Sequence, residues 1–500
     1  MRITLAAVII VLSIASIFKE VAYSQDNDIQ IKSYKNWFAR DVTITPGRVT
    51  TQDLLNSPKN GEWLLYHGDY GANRFSPLNQ INLSNINKLV PKWSYQIGKG
   101  GFNLRSSPIV YKDIMYVTGS DEVHAIDAIT GTWLWVWQAH EESSSNIINR
   151  GVAIHGDQLL FSTNDCRLVA LDRISGNVIW SKQYANLSDG HFSTTAPLVV
   201  GDKVILGISN INSGSRGFIA ALSLVNGNEL WRFWTIPEGV KFRGAPTWMV
   251  GSYDPLSDVL YWPVGVLEEG SGNSLGLENV YDNSIVALNP KNGAVIWKTK
   301  LADNMPLGWD ANEPLVLTDM VLDNINRKVI LLAHRNGLFY LIDRINGNII
   351  FSKPFVEKLD WLSKDTCPSR WGATNWMSPS FNPVTNLFYV MVLEGCRSGP
   401  NVFHIKTIEP TSGNIVWDYL TRGSNMTAPG ILSTGGGIVF SGEGSGHVVV
   451  LNSKSGEKVW DFNVGKQIFA SPITYLSKNQ QFISIVAGSD IITFGLHTIY

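Results

Sequence analysis

The chain has 500 residues, 44% hydrophobic and 16% charged, with 45 glycines, 18 tryptophans and a formal net charge of −2. That length exceeds one ordinary packed core, so it requires several domains or one repetitive architecture. The near-neutral charge, with no run of Lys or Arg interleaved with aromatics, excludes a nucleic-acid partner, and the richness in Gly and Trp points to a turn-dense β protein with little helix.

At the N-terminus Arg2 precedes an apolar stretch over residues 3–18, and "VAYSQ" closes it with the small residues Ala22 and Ser24. Residues 1–24 read as a secretory signal cut after Ser24; the alternative is an uncleaved N-terminal membrane anchor. Either reading puts the body outside the cytoplasm, periplasmic or secreted, with residues 25–60 as an extension and 61–500 as the folded body. Three cysteines occur, Cys166, Cys367 and Cys396, and an exported compartment permits disulfides among them. No Cys-x-x-Cys-His motif is present, so no c-type haem is attached.

From residue 125 onward one phrase recurs seven times: "AIDAITGTWLW", "ALDRISGNVIW", "ALSLVNGNELW", "ALNPKNGAVIW", "LIDRINGNIIF", "TIEPTSGNIVW" and "VLNSKSGEKVW". A mostly polar residue (Asp127, Asp172, Ser223, Asn289, Asp343, Glu409, Asn452) lies four before a Gly, and an aromatic residue lies four after it. The Gly permits positive φ at a turn between alternating apolar segments, so each phrase reads as strand, turn, strand. The aromatic positions are Trp135, Trp180, Trp231, Trp297, Phe351, Trp417 and Trp460, and Trp93 in "LVPKWSYQIG" adds an eighth. Separations of 42 to 66 residues suit the four-stranded blade of a β-propeller. The fold expected is therefore all-β: an eight-bladed propeller of four-stranded antiparallel blades, with one aromatic per blade filling the gap to its neighbour. The longest intervals hold the irregular stretches "GVLEEGSGNSLGLENVYD" and "SKDTCPSRWGATNWMSPS", which are candidate functional insertions.

The segments "WLLYHGDYGANRFSPLNQINLSNINKL", "RSSPIVYKDIMYVTGSDEVHAIDAITG", "GAPTWMVGSYDP", "GATNWMSPSFNPVTNLFYV" and "APGILSTGGGIVFSGEGSGHVVVLNSKSGEKVW" resemble, in order, the pyrroloquinoline quinone (PQQ) dependent alcohol dehydrogenases, eight-bladed quinoproteins of the periplasm. The resemblance covers nearly the whole chain after the leader. It implies a PQQ lying flat near the propeller axis, with Trp248 as its aromatic floor and Arg150 on a carboxylate. It gives Thr194 and Asn375, the latter beside Trp376, as hydrogen-bonding partners, and Arg335 as the cation that polarises the quinone carbonyls. It also implies a Cys367–Cys396 disulfide, which leaves Cys166 as an inert buried thiol. Family chemistry uses a Ca²⁺ or lanthanide ion to polarise the quinone and an Asp to take the hydroxyl proton of an alcohol.

Several positions depart from the family pattern. Asn212 stands for a metal-ligating Glu, Val266 for a ligating Asn, and Ser144-Ser145 for the vicinal cysteines that cover the cofactor. Arg105 replaces a Glu; it either pairs with a PQQ carboxylate or competes with the metal. In "NMPLGWDANEPLVL", counting back from Leu317 puts Gly308 at the place of the catalytic Asp, and Asp310 two residues later at the place of an additional metal-ligating Asp. Asp310 is then a metal ligand, a substitute catalytic base, or a turn cap.

Two functional readings follow. One is a PQQ-dependent dehydrogenase oxidising an alcohol, a related hydroxyl compound or an aldehyde, and passing electrons to a separate acceptor such as a cytochrome. The other is a degenerate propeller serving as a binding protein, sensor or assembly scaffold.

Overall fold

The computed structural model describes residues 29–30, 47–97, 104–139, 148–210, 214–268, 279–301, 309–423 and 429–497. The leader at 1–24, the Ser144-Ser145 pair, Asn212 and Gly308 lie outside them. Eight antiparallel sheets stand as the blades of a β-propeller. Blade one runs from axis to rim through Ile109–Tyr111, Ile114–Thr118, Glu122–Asp127 and Trp133–Ala139. The inner strands of blades two to seven are Ala153–His155, Leu198–Val200, Ser252–Asp254, Val316–Leu322, Ser380–Asn382 and Leu432–Thr434. Blade eight takes three strands from the C-terminal end, and its rim strand, Leu89–Gln96, pairs with Asp490–Leu496. That exchange closes the ring and accounts for Trp93 preceding the seven complete phrases. Two blades gain a fifth, two-residue strand: Ile29–Gln30 on the rim of blade one, and Phe75–Ser76 parallel to the inner strand of blade seven. Thr51–Asn56 is the one α-helix among the described residues, capped by Thr50.

Each repeated phrase folds identically. The Gly N–H donates to the carbonyl of the polar residue four before it, as in Gly131 to Asp127 (2.9 Å), Gly176 to Asp172 (2.8 Å) and Gly293 to Asn289 (2.8 Å). Side chains such as Asp172 and Asn452 accept backbone N–H groups within the turn, which is why short polar acceptors recur there. The Gly has a second role, because a Cβ at Gly176 would lie 2.6 Å from Trp135 and one at Gly293 2.6 Å from Trp231. The φ values at these two positions, +73° and +71°, are also strained for any side chain. Seven of the eight aromatics, all but Trp460, thus pack beneath the turn of the following blade, and in most of them the indole N–H donates to a carbonyl there: Trp93 to Ala128 (3.2 Å), Trp231 to Pro290 (3.0 Å), Trp417 to Ser453 (3.2 Å); the Trp180 N–H is buried without a partner.

Inner strands such as Leu198–Val200 are buried on both faces, whereas the rim strand Val178–Gln183 has no fully buried position. A strap over residues 61–76 lies across the axis. Trp63 bridges Val110 of blade one, and Gly61, Tyr70, Gly71, Asn73 and Arg74 accept backbone N–H groups from Leu476, Tyr253, Leu317, Phe381 and Ser433 of blades eight, four, five, six and seven. Those bonds satisfy inner-strand edges that a propeller otherwise leaves open toward its channel.

Candidate functional site

Antiparallel order sends all seven repeated turns to one end of the propeller. Connections from rim strand to next inner strand, and from second to third strand within a blade, emerge at the other end. The site residues expected from sequence that are described all lie at this second end. Arg150, Thr194, Trp248, Asp310, Asn375 and Trp376 stand on connections between blades, and Arg335 stands on the turn Ala333 to Leu338 inside blade five.

Three of them meet directly. Arg150 is buried, and its Nη1 donates to both the carbonyl and the hydroxyl of Thr194 at 2.8 Å. Its guanidinium lies 4.7 Å from the ring centre of Trp248. Thr194 Oγ1 is bonded in turn to Ser209 at 3.0 Å, so the clamp is held on two loops. A second cation and aromatic pair stands nearby: Arg105 sits 3.8 Å over Trp376, whose backbone N–H donates to the Oδ1 of Asn375 at 3.0 Å. Burial, then repulsion from Arg150, drags Arg105 down to about 9, and burial lowers Arg150 as well. Tyr66, from the axial strap, is the neighbour whose oxygen eases both.

Asp310 is buried and accepts from Arg335 Nη1 at 2.9 Å, a side-chain ion pair with 15% and 10% residual exposure. The neighbouring carboxylate, Glu313, was not given a role by sequence reasoning. It is 2% exposed, only the backbone N–H groups of Arg335 and of Glu313 itself approach its oxygens among the described residues, and burial followed by repulsion from Asp310 pushes it well above the usual carboxylate range. Asn312 donates to Pro246 O at 3.1 Å while its own Oδ1 stays buried without a partner. His334, fully buried, accepts Asn336 N–H on Nδ1 at 3.0 Å, which leaves the proton on Nε2 toward Asn283; burial lowers it to about 4. The Arg335 carbonyl accepts Ala373 N–H at 2.7 Å and so ties this cluster to the Asn375 loop.

A planar polyanion fits these features. Guanidiniums on aromatic faces without carboxylate partners attract flat anions, and orphaned oxygens at Asn312 and Glu313 beside Asp310 are donors a cation would satisfy. The family model for the β-propeller domain of PQQ-dependent glucose, ethanol and alcohol dehydrogenases matches residues 63–358. The quinoprotein alcohol dehydrogenase PedH of Pseudomonas putida is 30% identical over 530 aligned residues, covering 88% of each chain. The chain belongs to this family of quinoprotein alcohol dehydrogenases. The solved quinohemoprotein alcohol dehydrogenase of Comamonas testosteroni superposes with a TM-score of 0.80 at 26% identity, over 89% of this chain and 82% of that one. A europium-containing methanol dehydrogenase reaches the same score at 22% identity, over 89% of this chain and all of its own, and shares the fold. Residues 401–483 also match the family model of the outer membrane protein assembly factor BamB.

Against the family pattern the positions divide. Val266 offers no side-chain donor, and its carbonyl is taken by Ala245 N–H at 2.7 Å. Cys367 and Cys396 form a disulfide that clips the loop bearing Asn375 to the turn of blade six. A cluster of Asp365 with these two sulfurs is therefore no thiolate metal site. Cys166 is free and buried, with its thiol pushed up by burial. Of the two irregular insertions, the one over 363–380 carries Asn375 and Trp376, while much of the other, 269–278, lies outside the described residues.

Proposed function

We propose that the chain is a PQQ-dependent dehydrogenase acting outside the cytoplasm on an alcohol or a related hydroxyl compound or aldehyde, with a separate acceptor such as a cytochrome taking the electrons. The observation that carries it is the pair of guanidiniums seated on indoles, the buried Arg150 on Trp248 and the half-buried Arg105 on Trp376, with no carboxylate to neutralise them among the described residues. When bound, the quinone supplies the two-electron acceptor for the substrate's C–H bond. Trp248 gives a flat apolar floor, Arg150 with Thr194 holds a carboxylate, and Asn375 orients an amide toward the ring. Arg335 supplies positive charge beside the reacting oxygens and fixes the Asp310 carboxylate.

Asp310 then accepts the hydroxyl proton or ligates a Ca²⁺ or lanthanide ion together with Asn212, with Asn312 and Glu313 as further oxygen donors. No described helix is long and apolar enough to cross a membrane.

A second reading, a propeller that binds the quinone without turnover and serves as sensor or assembly scaffold, is favoured by Val266 and by the engagement of Asp310 with Arg335. Reconstitution with PQQ and Ca²⁺ or La³⁺, followed by dye reduction with a panel of primary alcohols and aldehydes, separates the two. The dehydrogenase reading expects substrate-dependent reduction; quinone uptake without reduction by any of them supports the second.

A further inference from the structure

A buried arginine, Arg150, beside a half-buried one, Arg105, with no carboxylate on either among the described residues, is costly to a folded chain. Each guanidinium loses hydration, each raises the energy of the other, and an indole face returns only part of the loss. The Nε of Arg105 and the Nε of Arg150 are both buried without a partner, and neither side chain forms an ion pair among the described residues. Their repulsion lowers Arg105, and among the described residues Tyr66 is a neighbour that relieves both. Arg335 at the same end differs from them, since it has Asp310 at 2.9 Å. Arg105 and Arg150 each have an aromatic platform instead: Trp376 at 3.8 Å and Trp248 at 4.7 Å. Paired platforms of this kind orient two planar forks toward one flat ligand that carries at least two separated anionic groups.

We infer that Arg105 is a second carboxylate clamp of the axial site, engaging one carboxylate of a planar polycarboxylate while Arg150 engages another. This rests on the reading of the site as a PQQ pocket, and it resolves the role of Arg105 in favour of ligand pairing. The ligand class is a rigid aromatic di- or tricarboxylate, and charge on the ligand contributes a large share of the affinity.

Equilibrium titration of the full chain by quenching of tryptophan fluorescence tests it with PQQ and with its neutral trimethyl ester. Wild type is expected to bind PQQ at one per chain and the ester far more weakly. Arg105→Ala is expected to weaken PQQ roughly 10- to 100-fold, with Arg105→Lys between, and to leave ester affinity unchanged. Equal affinity of wild type for acid and ester overturns the proposal without requiring any variant to fold. Unchanged PQQ affinity in Arg105→Ala, beside a loss in Arg150→Ala, overturns it for Arg105 while the pocket reading stands. Failure of wild type to bind PQQ at all removes the pocket reading and the clamp together.

Discussion

The two ends of this propeller are built on opposite terms. At the turn end seven phrases repeat one hydrogen-bond scheme, each Gly lies over the aromatic of the preceding blade, and turn donors find acceptors within a few residues. At the other end the described residues include two guanidiniums without ion pairs, a buried carboxylate with no side-chain donor and an amide oxygen without a donor. Satisfied, repetitive contacts generate stability; unsatisfied, convergent ones are retained where a ligand completes them. The contrast assigns the framework to the turn end and the function to the other.

Substitutions that separate stability from function test this division. Trp231→Ala removes a buried indole, its bond to Pro290 and the surface under Gly293, and is expected to cost about 3–5 kcal/mol in chemical denaturation. Its quinone affinity, measured below the transition, should stay at the wild-type value. Asp310→Asn should do the reverse. It keeps an oxygen acceptor for Arg335 but removes its counter-charge, so it is expected to lose less stability than Trp231→Ala while dye-linked turnover falls by roughly 100-fold or more. Equal loss of stability and rate in either variant breaks the comparison.

An effect confined to acid pH comes from His67, on the axial strap. Burial, then Arg74, lowers its pKa from 6.5 to about 3, so the native ring is neutral where the unfolded ring is charged. Unfolding therefore takes up a proton below pH 6.5, and stability falls with falling pH by about 1.4 kcal/mol per unit between roughly pH 6 and 3. His67→Gln should flatten the acid limb of the stability profile by that amount and leave the limb above pH 7 unchanged. The smallest expected change is Trp417→Phe, which keeps the packing under Gly456 but loses the bond to Ser453; about 1 kcal/mol is expected in denaturant unfolding. Phe351 already fills this place in blade five without an indole N–H.

The eight-bladed fold was legible because its code is local. Asp172, Gly176 and Trp180 lie within one hairpin, and their spacing states the turn and the packing position. The closing strand was visible only through Trp93, and the role of the strap at 61–76 was not visible at all, because its partners come from six blades scattered along the chain. The same distinction divides the site. Arg150, Trp248, Arg335 and Asn375 could be named from the resemblance, but the Asp310–Arg335 pair joins two loops 25 residues apart, and the seat of Arg105 on Trp376 joins blades one and six. Glu313 stood in view beside Asp310. Its significance is its burial without a side-chain donor, which depends on what surrounds it and not on its neighbours in sequence.

A crystal structure of the full chain grown with PQQ and Ca²⁺ or La³⁺ tests the central claim most directly. The account predicts one quinone at the end opposite the repeated turns, its ring over the indole of Trp248 and separate carboxylates on Arg150 and Arg105. A quinone bound anywhere else on the propeller, or a PQQ-treated crystal in which both guanidiniums keep their seats with no anion between them, would contradict it.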